Sequence, residues 1–156
     1  YSMIQEKDYL ADLADQPNFG YSLATPLDRL GAALLESLII YIPLYFILGD
    51  SGHLFSENIF DFESILLQSG FAALLGAVFY SLWSGNLGHK LLGMKVISAV
   101  DGLDQRKAVA GALREFLKSI LGVFIIPIIW LIWDAKNQNL YDKITNTIVV
   151  KDIKKN

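Results

Sequence analysis

Two apolar stretches decide the fold of this chain: Leu30–Leu48, which reads LGAALLESLIIYIPLYFIL, and Ile65–Trp83, which reads ILLQSGFAALLGAVFYSLW. Each contains 19 residues; the first has one charged residue, Glu36, and the second has none. A helix needs about 20 apolar residues to cross the roughly 30 Å hydrocarbon core of a bilayer. The two stretches therefore predict a transmembrane helical hairpin.

The basic residues predict how this hairpin is oriented. None of the 13 Lys and Arg residues lies between Gly49 and Ser64, in the loop that joins the two stretches. The same loop carries four acidic residues: Asp50, Glu57, Asp61 and Glu63. Basic residues collect on the cytoplasmic side of membrane proteins because that placement sets the orientation during insertion. We therefore expect the loop to be external and both termini to be cytoplasmic.

The composition favours a membrane protein and argues against several other classes. Hydrophobic residues make up 53% of the 156 residues, and the mean hydropathy is +0.40; both are high for a soluble domain. The net charge of −3 gives no basic footprint for a nucleic acid, and the absence of cysteine excludes disulfides and cysteine metal sites. A phosphate-binding loop, metal-ligand spacing and a Ser/His/Asp order are also missing. We expect no enzymatic activity, no cofactor and no metal.

The rest of the chain divides into short segments. We interpret residues 1–22 as a polar cytoplasmic arm, residues 23–151 as one membrane domain and residues 152–156 as a tail. Thr25 and Pro26 predict the start of the first helix, because threonine caps free N–H groups and proline suits the first helical position. Two β-branched runs, Met94–Val100 and Thr145–Lys151, predict strands. We expect these strands to form a short two-stranded cytoplasmic β pairing.

The segment between the strands has two interpretations. Gln105–Leu121 has an amphipathic pattern, which is typical of a helix lying in the membrane interface. Its polar face carries three basic residues: Lys107, Arg114 and Lys118. Gly122–Trp133 is apolar but only 12 residues long, which favours a shallow hairpin that returns to the cytoplasm. The alternative is a third span from Leu117 to Trp133, which would separate the two strands. The predicted fold is an all-α membrane protein with a transmembrane helical hairpin, an interfacial or re-entrant helical hairpin and the β pairing.

Small residues recur along the second apolar stretch at Ser69, Ala73, Gly76 and Ala77. Such a seam lets another helix approach closely. Two partners stay open at this point. One is the first apolar stretch of the same chain, and the other is a second copy of the chain in a homo-oligomer.

Glu36 lies about two helical turns inside the first apolar stretch. A charge there costs about 2.5–3.5 kcal/mol on insertion scales, so it must be paired, protonated or facing water. Three roles stay open: a structural ion pair with another basic residue, a proton- or ion-linked role, and a side chain that merely reaches towards the interface.

Four segments of the chain resemble the RDD family of bacterial membrane proteins. They are LATPLDRLGAALLESLI (Leu23–Ile39), GNLGHKLLGMKVISAVDG (Gly85–Gly102), ALREFLKSI (Ala112–Ile120) and WDAKNQNLYDKITNTIVVK (Trp133–Lys151). The family is named for one arginine and two aspartates, and the resemblance maps these onto Arg29, Asp134 and Asp142. The chain departs from the pattern at Glu36, where the family commonly has an aspartate. The resemblance implies a multi-pass protein of the bacterial plasma (inner) membrane.

These residues predict a charge cluster and leave its role open. We expect Arg29, Glu36, Arg114, Asp134 and Asp142 to form one network at the cytoplasmic interface, because opposite charges compensate each other at that depth. The network is architectural, a cation site built from Glu36, Asp134 and Asp142, or a contact with substrate or lipid. The first role predicts a non-enzymatic accessory or anchoring subunit of a membrane assembly. The second predicts an oligomeric cation/proton (Na+/H+ type) transporter, an activity that the resemblance suggests. The expected partners are the lipid bilayer and either further copies of the chain or a larger membrane protein.

Overall fold

The computed structural model describes residues 21–48, 60–122, 124 and 126–152. The helices, in chain order, are α1 (Pro26–Leu48), α2 (Phe62–Trp83), α3 (Leu87–Leu91), α4 (Ala108–Gly122), α5 (Ile126–Trp133) and α6 (Leu140–Ile144). The strands are β1 (Tyr21–Leu23), β2 (Met94–Ser98) and β3 (Thr147–Asp152). The protein is mostly helical. Residues 49–59 of the predicted external loop, residues 1–20 of the predicted arm and residues 153–156 of the predicted tail lie outside the described residues.

The two long apolar helices begin where the sequence predicts. Thr25 caps α1: its hydroxyl accepts a hydrogen bond from the backbone N–H of Asp28, and Pro26 occupies the first helical position. The middle of α1, Ser37–Tyr41, widens into a π-helical segment just before Pro43. Proline has no backbone N–H to continue the α-helical ladder, so this local widening marks the irregularity expected there. The stretches Pro26–Leu48 and Phe62–Leu91 are each long and apolar enough to cross a membrane, judged by length and composition.

The sheet has three strands rather than the two that we predicted. Its order is β1-β3-β2, and both pairings are antiparallel. The predicted pairing of β2 with β3 is confirmed, with Val96 opposite Val149. The additional strand β1 begins at Tyr21, inside the predicted arm, and pairs with β3 only. A strand of three residues carries little pattern of its own, so its existence depends on the partner edge that β3 provides.

The helices pack in a different arrangement from the predicted hairpin. The most extensive packing joins α2 to α4, not to α1. The two helices are antiparallel, since Ser69 of α2 meets Ser119 of α4 while Tyr80 meets Glu115. Helix α1 packs instead against the short helix α3, where Gly88 lies directly on the backbone of Ala32.

Helices α4 and α5 form a hairpin whose two ends both lie at the sheet. Gln105, three residues before α4, donates its backbone N–H to the carbonyl oxygen of Val96 in β2, at 3.0 Å. After α5, the side chain of Asn137 donates to the carbonyl oxygen of Ala24, which directly follows β1, at 3.1 Å. Both ends of the α4–α5 segment therefore lie together at the sheet, which is the arrangement that the predicted hairpin requires.

One face of the sheet covers the ends of the helices. Its side chains form an apolar core with residues of α1 and α2: Ala24, Ala32, Tyr80, Met94, Val96 and Val149. This layer fixes the sheet above the site where the charged side chains of α1, α4 and α6 meet.

Candidate functional site

Asp142 joins two arginines from two other helices. Its carboxylate lies 2.5 Å from Nη2 of Arg29 in α1 and forms a second, shorter ion pair with Nη2 of Arg114 in α4. The side chains of all three residues are buried. A buried carboxylate between two guanidinium groups makes strong charge-assisted hydrogen bonds. Asp142 thereby ties α1, α4 and α6 together at one point.

A chain of alternating charges continues from this point along α4. Nη1 of Arg114 lies 3.3 Å from Oε1 of Glu115, and Nζ of Lys118 lies 2.7 Å from Oε2 of the same residue. The ammonium group of Lys118 also lies 2.8 Å from Oε2 of Glu36 in α1. Glu36 accepts one more hydrogen bond, at 2.8 Å, from Nδ2 of Asn86. The carboxylate within the first apolar helix is thus paired with a lysine of α4.

Two tyrosines complete the site. Tyr80 of α2 accepts a hydrogen bond from Nη1 of Arg114 at 2.5 Å and donates its hydroxyl to Oε1 of Glu115 at 3.2 Å. The hydroxyl of Tyr141 accepts from Nη2 of Arg29 at 3.2 Å. The Tyr141 ring also lies near both guanidinium groups, at 5.8 Å from that of Arg29 and 5.0 Å from that of Arg114. Such ring contacts stabilise a buried cation further.

We call this set of ion-paired residues the buried network; its members are Arg29, Glu36, Arg114, Glu115, Lys118 and Asp142. It contains three cations and three carboxylates, so their formal charges cancel. Cancellation matters because an unpaired charge in this environment has a large desolvation cost. Each carboxylate already bonds to a cation of the protein itself.

Asp134 stands apart from the buried network, which corrects our prediction of one cluster. Its carboxylate lies 2.5 Å from Nζ of Lys143 and accepts backbone N–H bonds from Lys136 and Gln138 at 3.1 and 2.9 Å. Burial alone would raise the pKa of Asp134, but the Lys143 bond and these N–H bonds outweigh it and lower the pKa. Asp134 organises the loop after α5. This loop contacts the network at two backbone groups: the carbonyl oxygen of Asn137 lies 2.5 Å from Nη1 of Arg29, and the N–H of Asn139 lies 2.8 Å from Oδ2 of Asp142.

Glu115 and Lys118 are the network members that sequence reasoning missed. We placed Arg114 and Lys118 on the polar face of an interfacial helix and expected only Arg114 to join the charge cluster. In the structure Arg114 is almost fully buried, and Lys118, only 25% exposed, joins the network as well. A signal was present: Arg114, Glu115 and Lys118 lie on one face of α4, and this face alternates in charge. Glu115 and Lys118 are three residues apart, a spacing at which opposite charges pair on a helix.

The small residues of α2 divide between two environments. Ser69 and Gly76 are buried against α4. A Cβ atom on Gly76 would lie 2.5 Å from the carbonyl oxygen of Gly111, so the two backbones are in direct contact. Ala73 and Ala77 are partly exposed. Part of the predicted seam is therefore occupied by α4 of the same chain, a partner that we did not consider.

The site joins several helices through ion pairs. Within the part of the chain that the structure describes, no group of three or more His, Cys, Asp or Glu side chains could hold a metal ion. The buried network instead brings α1, α4 and α6 into one arrangement, with α2 contributing Tyr80. Fold and site together define a class: a helical protein with two apolar helices of membrane-crossing length, a small sheet, and buried ion pairs that link α1, α4 and α6.

The comparison with protein families identifies this class. The model of the RDD family matches residues 23–146, which is most of the chain. The chain belongs to the RDD family, as the resemblance predicted. The matched region includes Arg29, Asp134 and Asp142. Searches of curated proteins and of solved structures found no match to this chain.

Proposed function

We propose that this protein is a multi-pass integral protein of the bacterial plasma (inner) membrane, and that it acts as a non-enzymatic accessory or anchoring subunit of a membrane assembly. The observation that carries the membrane placement is an inversion of the usual distribution of polarity. In α1 the buried side chains include Arg29 and Glu36, whereas Leu34, Leu38 and Phe46 are at least half exposed. Water would favour the opposite arrangement, since burial of apolar surface drives folding in water.

The same inversion holds in α2 and α4. The buried residues of α2 include Ser64 and Ser69, whereas Leu74 is 70% exposed. In α4, Arg114 and Glu115 are buried while Val109 is 81% exposed. Polar side chains inside and apolar side chains outside are the arrangement expected when lipid surrounds the helices.

The dimensions of the α4–α5 hairpin support a re-entrant segment. Helix α4 has 15 residues, so it is about 22 Å long at 1.5 Å per residue. That length falls short of the roughly 30 Å hydrocarbon core. From Arg114 to Gly122 the rise is about 12 Å, and the eight residues of α5 return over about the same distance. The hairpin then enters the membrane from the side of the sheet and returns to it.

The pairing within the buried network supports an architectural role over transport. A cation site needs carboxylate oxygens that can exchange water for the ion. Here Glu36 and Glu115 both bond to Lys118, at 2.8 and 2.7 Å, so the protein supplies its own cation. Two long helices and a half-depth hairpin also do not enclose a path by themselves. A subunit that uses its outer surface to hold other components fits this geometry best.

Cation/proton transport is the second candidate, and one observation favours it. Lys118 holds two carboxylates from different helices at one point, and an intramembrane carboxylate can mark a proton or ion path. Loss of the Lys118 contact would leave Glu36 and Glu115 as a pair of negative charges. Transport would require an oligomer to complete the path.

The membrane placement predicts a defined labelling pattern. The chain has no cysteine, so single cysteines can be introduced at Ser56, in the predicted external loop, and at Lys90, which is exposed near the end of α3. On intact cells we expect an impermeant thiol reagent to label Ser56→Cys, and to label Lys90→Cys only after permeabilisation. The reverse pattern would contradict the orientation, and labelling of both positions on intact cells would contradict the membrane placement of the two helices.

The architectural role predicts no ion flux from the purified protein. Wild type and Glu36→Gln, each reconstituted into vesicles, should show the same cation-driven change in internal pH as protein-free vesicles. The molecular mass of the purified protein in detergent, measured in parallel, shows whether an oligomer was present to be tested. Flux by the wild type that Glu36→Gln abolishes, while its folded yield is retained, would favour the transporter instead.

A further inference from the structure

The N-terminal part of α4 and the turn before it present an apolar surface outside the core. Val109 and Leu113, one helical turn apart on α4, are 81% and 49% exposed. Val100 and Leu103, in the turn after β2, are 70% and 66% exposed. The other face of α4 is packed against α2 through Gly111. The exposed side of α4 therefore has no packing partner among the described residues.

Two exposed cations lie at the end of this apolar surface. The side chain of Arg106 is 60% exposed, and Lys107 is exposed as well. Lys107 is four residues before Gly111, so it lies about 6 Å from Gly111 along the helix axis, towards the N-terminal end of α4. Gly111 contacts Tyr80, and α2 ends three residues later, at Trp83. The cations are thus level with the end of an apolar membrane-crossing helix, which is the depth of lipid headgroups.

The nearby carboxylates neutralise these cations only in part. Asp104 lies 2.5 Å from Nζ of Lys95 and 3.4 Å from Nη2 of Arg106, so it is shared between the two and lies closer to Lys95. Asp101 is exposed, accepts the backbone N–H of Leu103, which closes the turn, and interacts electrostatically with Lys107. The segment from Lys95 to Lys107 contains three cations and two carboxylates. It keeps a net positive charge beside an apolar face.

We infer that Arg106 and Lys107 bind the phosphate groups of anionic lipids in the cytoplasmic leaflet, while Val109 and Leu113 contact the acyl chains. This inference rests on the proposed membrane placement. Helix α4 carries this surface and runs on into the α4–α5 hairpin, so lipid that surrounds the hairpin also reaches this surface. Basic residues next to an apolar helix face are the pattern that recognises an anionic membrane surface. The contact would fix the depth of α4, and with it the position of Arg114 in the buried network.

Brominated lipids test this inference at a single position. The reporter is Val109→Trp in a chain whose three natural tryptophans are replaced by Phe (Trp83→Phe, Trp130→Phe, Trp133→Phe) and which is reconstituted into vesicles. Brominated phosphatidylglycerol and brominated phosphatidylcholine quench a tryptophan that they touch, so their competition gives a relative binding constant. We expect a preference for phosphatidylglycerol that falls about five-fold for each cation removed by Arg106→Gln and Lys107→Gln.

Matched controls separate the possible outcomes. Lys154→Gln with Lys155→Gln removes the same charge from the tail and should leave the preference unchanged, whereas an equal loss would show a general charge effect and overturn the inference. Equal quenching by both lipids in every variant would also overturn it, while leaving the membrane placement intact.

Quenching by neither lipid would show that lipid does not touch this face and would overturn the inference. The cysteine labelling of Ser56 and Lys90 then decides whether the membrane placement fails too. If inorganic phosphate competes with phosphatidylglycerol at an equal binding constant, Arg106 and Lys107 bind free anions rather than lipid headgroups, and the inference is overturned.

Discussion

Replacing Asp142 by asparagine should destabilise the protein by about 3–5 kcal/mol, the cost of breaking a buried ion pair. The variant keeps the side-chain volume but removes the charge that Arg29 and Arg114 share. Both arginines are buried, and within the described residues no other carboxylate pairs with Arg29. The free energy of unfolding, measured by denaturant titration in detergent, checks this value.

Asp134→Asn provides the matched control for this prediction. Asp134 is an aspartate of the same family motif, but its partner Lys143 has a side chain that is 39% exposed. An ion pair in contact with water contributes about 0–1 kcal/mol, so we expect a much smaller loss than for Asp142→Asn. Similar losses in the two variants would contradict the separation between Asp134 and the buried network.

A second substitution keeps the test informative if Asp142→Asn does not fold. Combining it with Arg29→Gln removes one positive charge together with the negative one, and Arg114 keeps Glu115 as a partner at 3.3 Å. We expect the double variant to recover part of the folded yield, measured as the monodisperse fraction in size-exclusion chromatography. A double variant with lower yield than Asp142→Asn would argue against charge compensation as the cause.

Gly88→Ala should separate α3 from α1. A Cβ atom at this position would lie 1.9 Å from the carbonyl oxygen of Ala32 and 2.6 Å from its carbonyl carbon. Backbone atoms cannot move aside by changing rotamer, so the helices themselves must shift. Overpacking of this kind costs about 1–3 kcal/mol, and occasionally more. The same shift would displace Asn86, which bonds to Glu36.

Gly70→Ala is the control for Gly88→Ala. A Cβ atom on Gly70 would meet nothing within 4 Å, and alanine is favoured over glycine inside a helix by about 1 kcal/mol. We therefore expect this variant to be as stable as the wild type or slightly more stable, in a thermal unfolding measurement in detergent. Ala32→Gly should not rescue Gly88→Ala, because the clash involves the backbone of Ala32. Rescue, or equal stability of the two alanine variants, would contradict the close contact of α1 and α3.

Several features of the molecule were predictable because they depend on local pattern. The lengths of the apolar stretches predicted α1 and α2, and the shortness of the apolar run after Gly122 predicted a hairpin over a third span. The β-branched runs predicted the pairing of β2 with β3. The segments that resemble the RDD family predicted membership, and they singled out Arg29 and Asp142, which the structure brings into contact.

Other features depended on which helix faces meet, and no local pattern specifies that. Helix α2 has several faces rich in small residues, and only the contact of Gly76 with Gly111 selects α4 as its partner. Once this contact is made, the charged face of α4 turns inward, so Glu115 and Lys118 enter the network with Glu36. The family motif likewise singles out Asp134 but does not specify its position. The loop around Asn137 holds Asp134 apart from the network.

The sequence by itself therefore determined the number of long apolar helices, the hairpin, two of the three strands and the family, because length, polarity and motif are properties of neighbouring residues. The tertiary structure alone decided that α4 rather than α1 packs on α2, that β1 joins the sheet, and that Lys118 is the partner of Glu36. The physical reason is that a buried charge is stable only beside its counter-charge. Where that counter-charge comes from depends on the close approach of backbones at Gly76, Gly88 and Gly111, because these contacts bring together helices that are far apart in the chain.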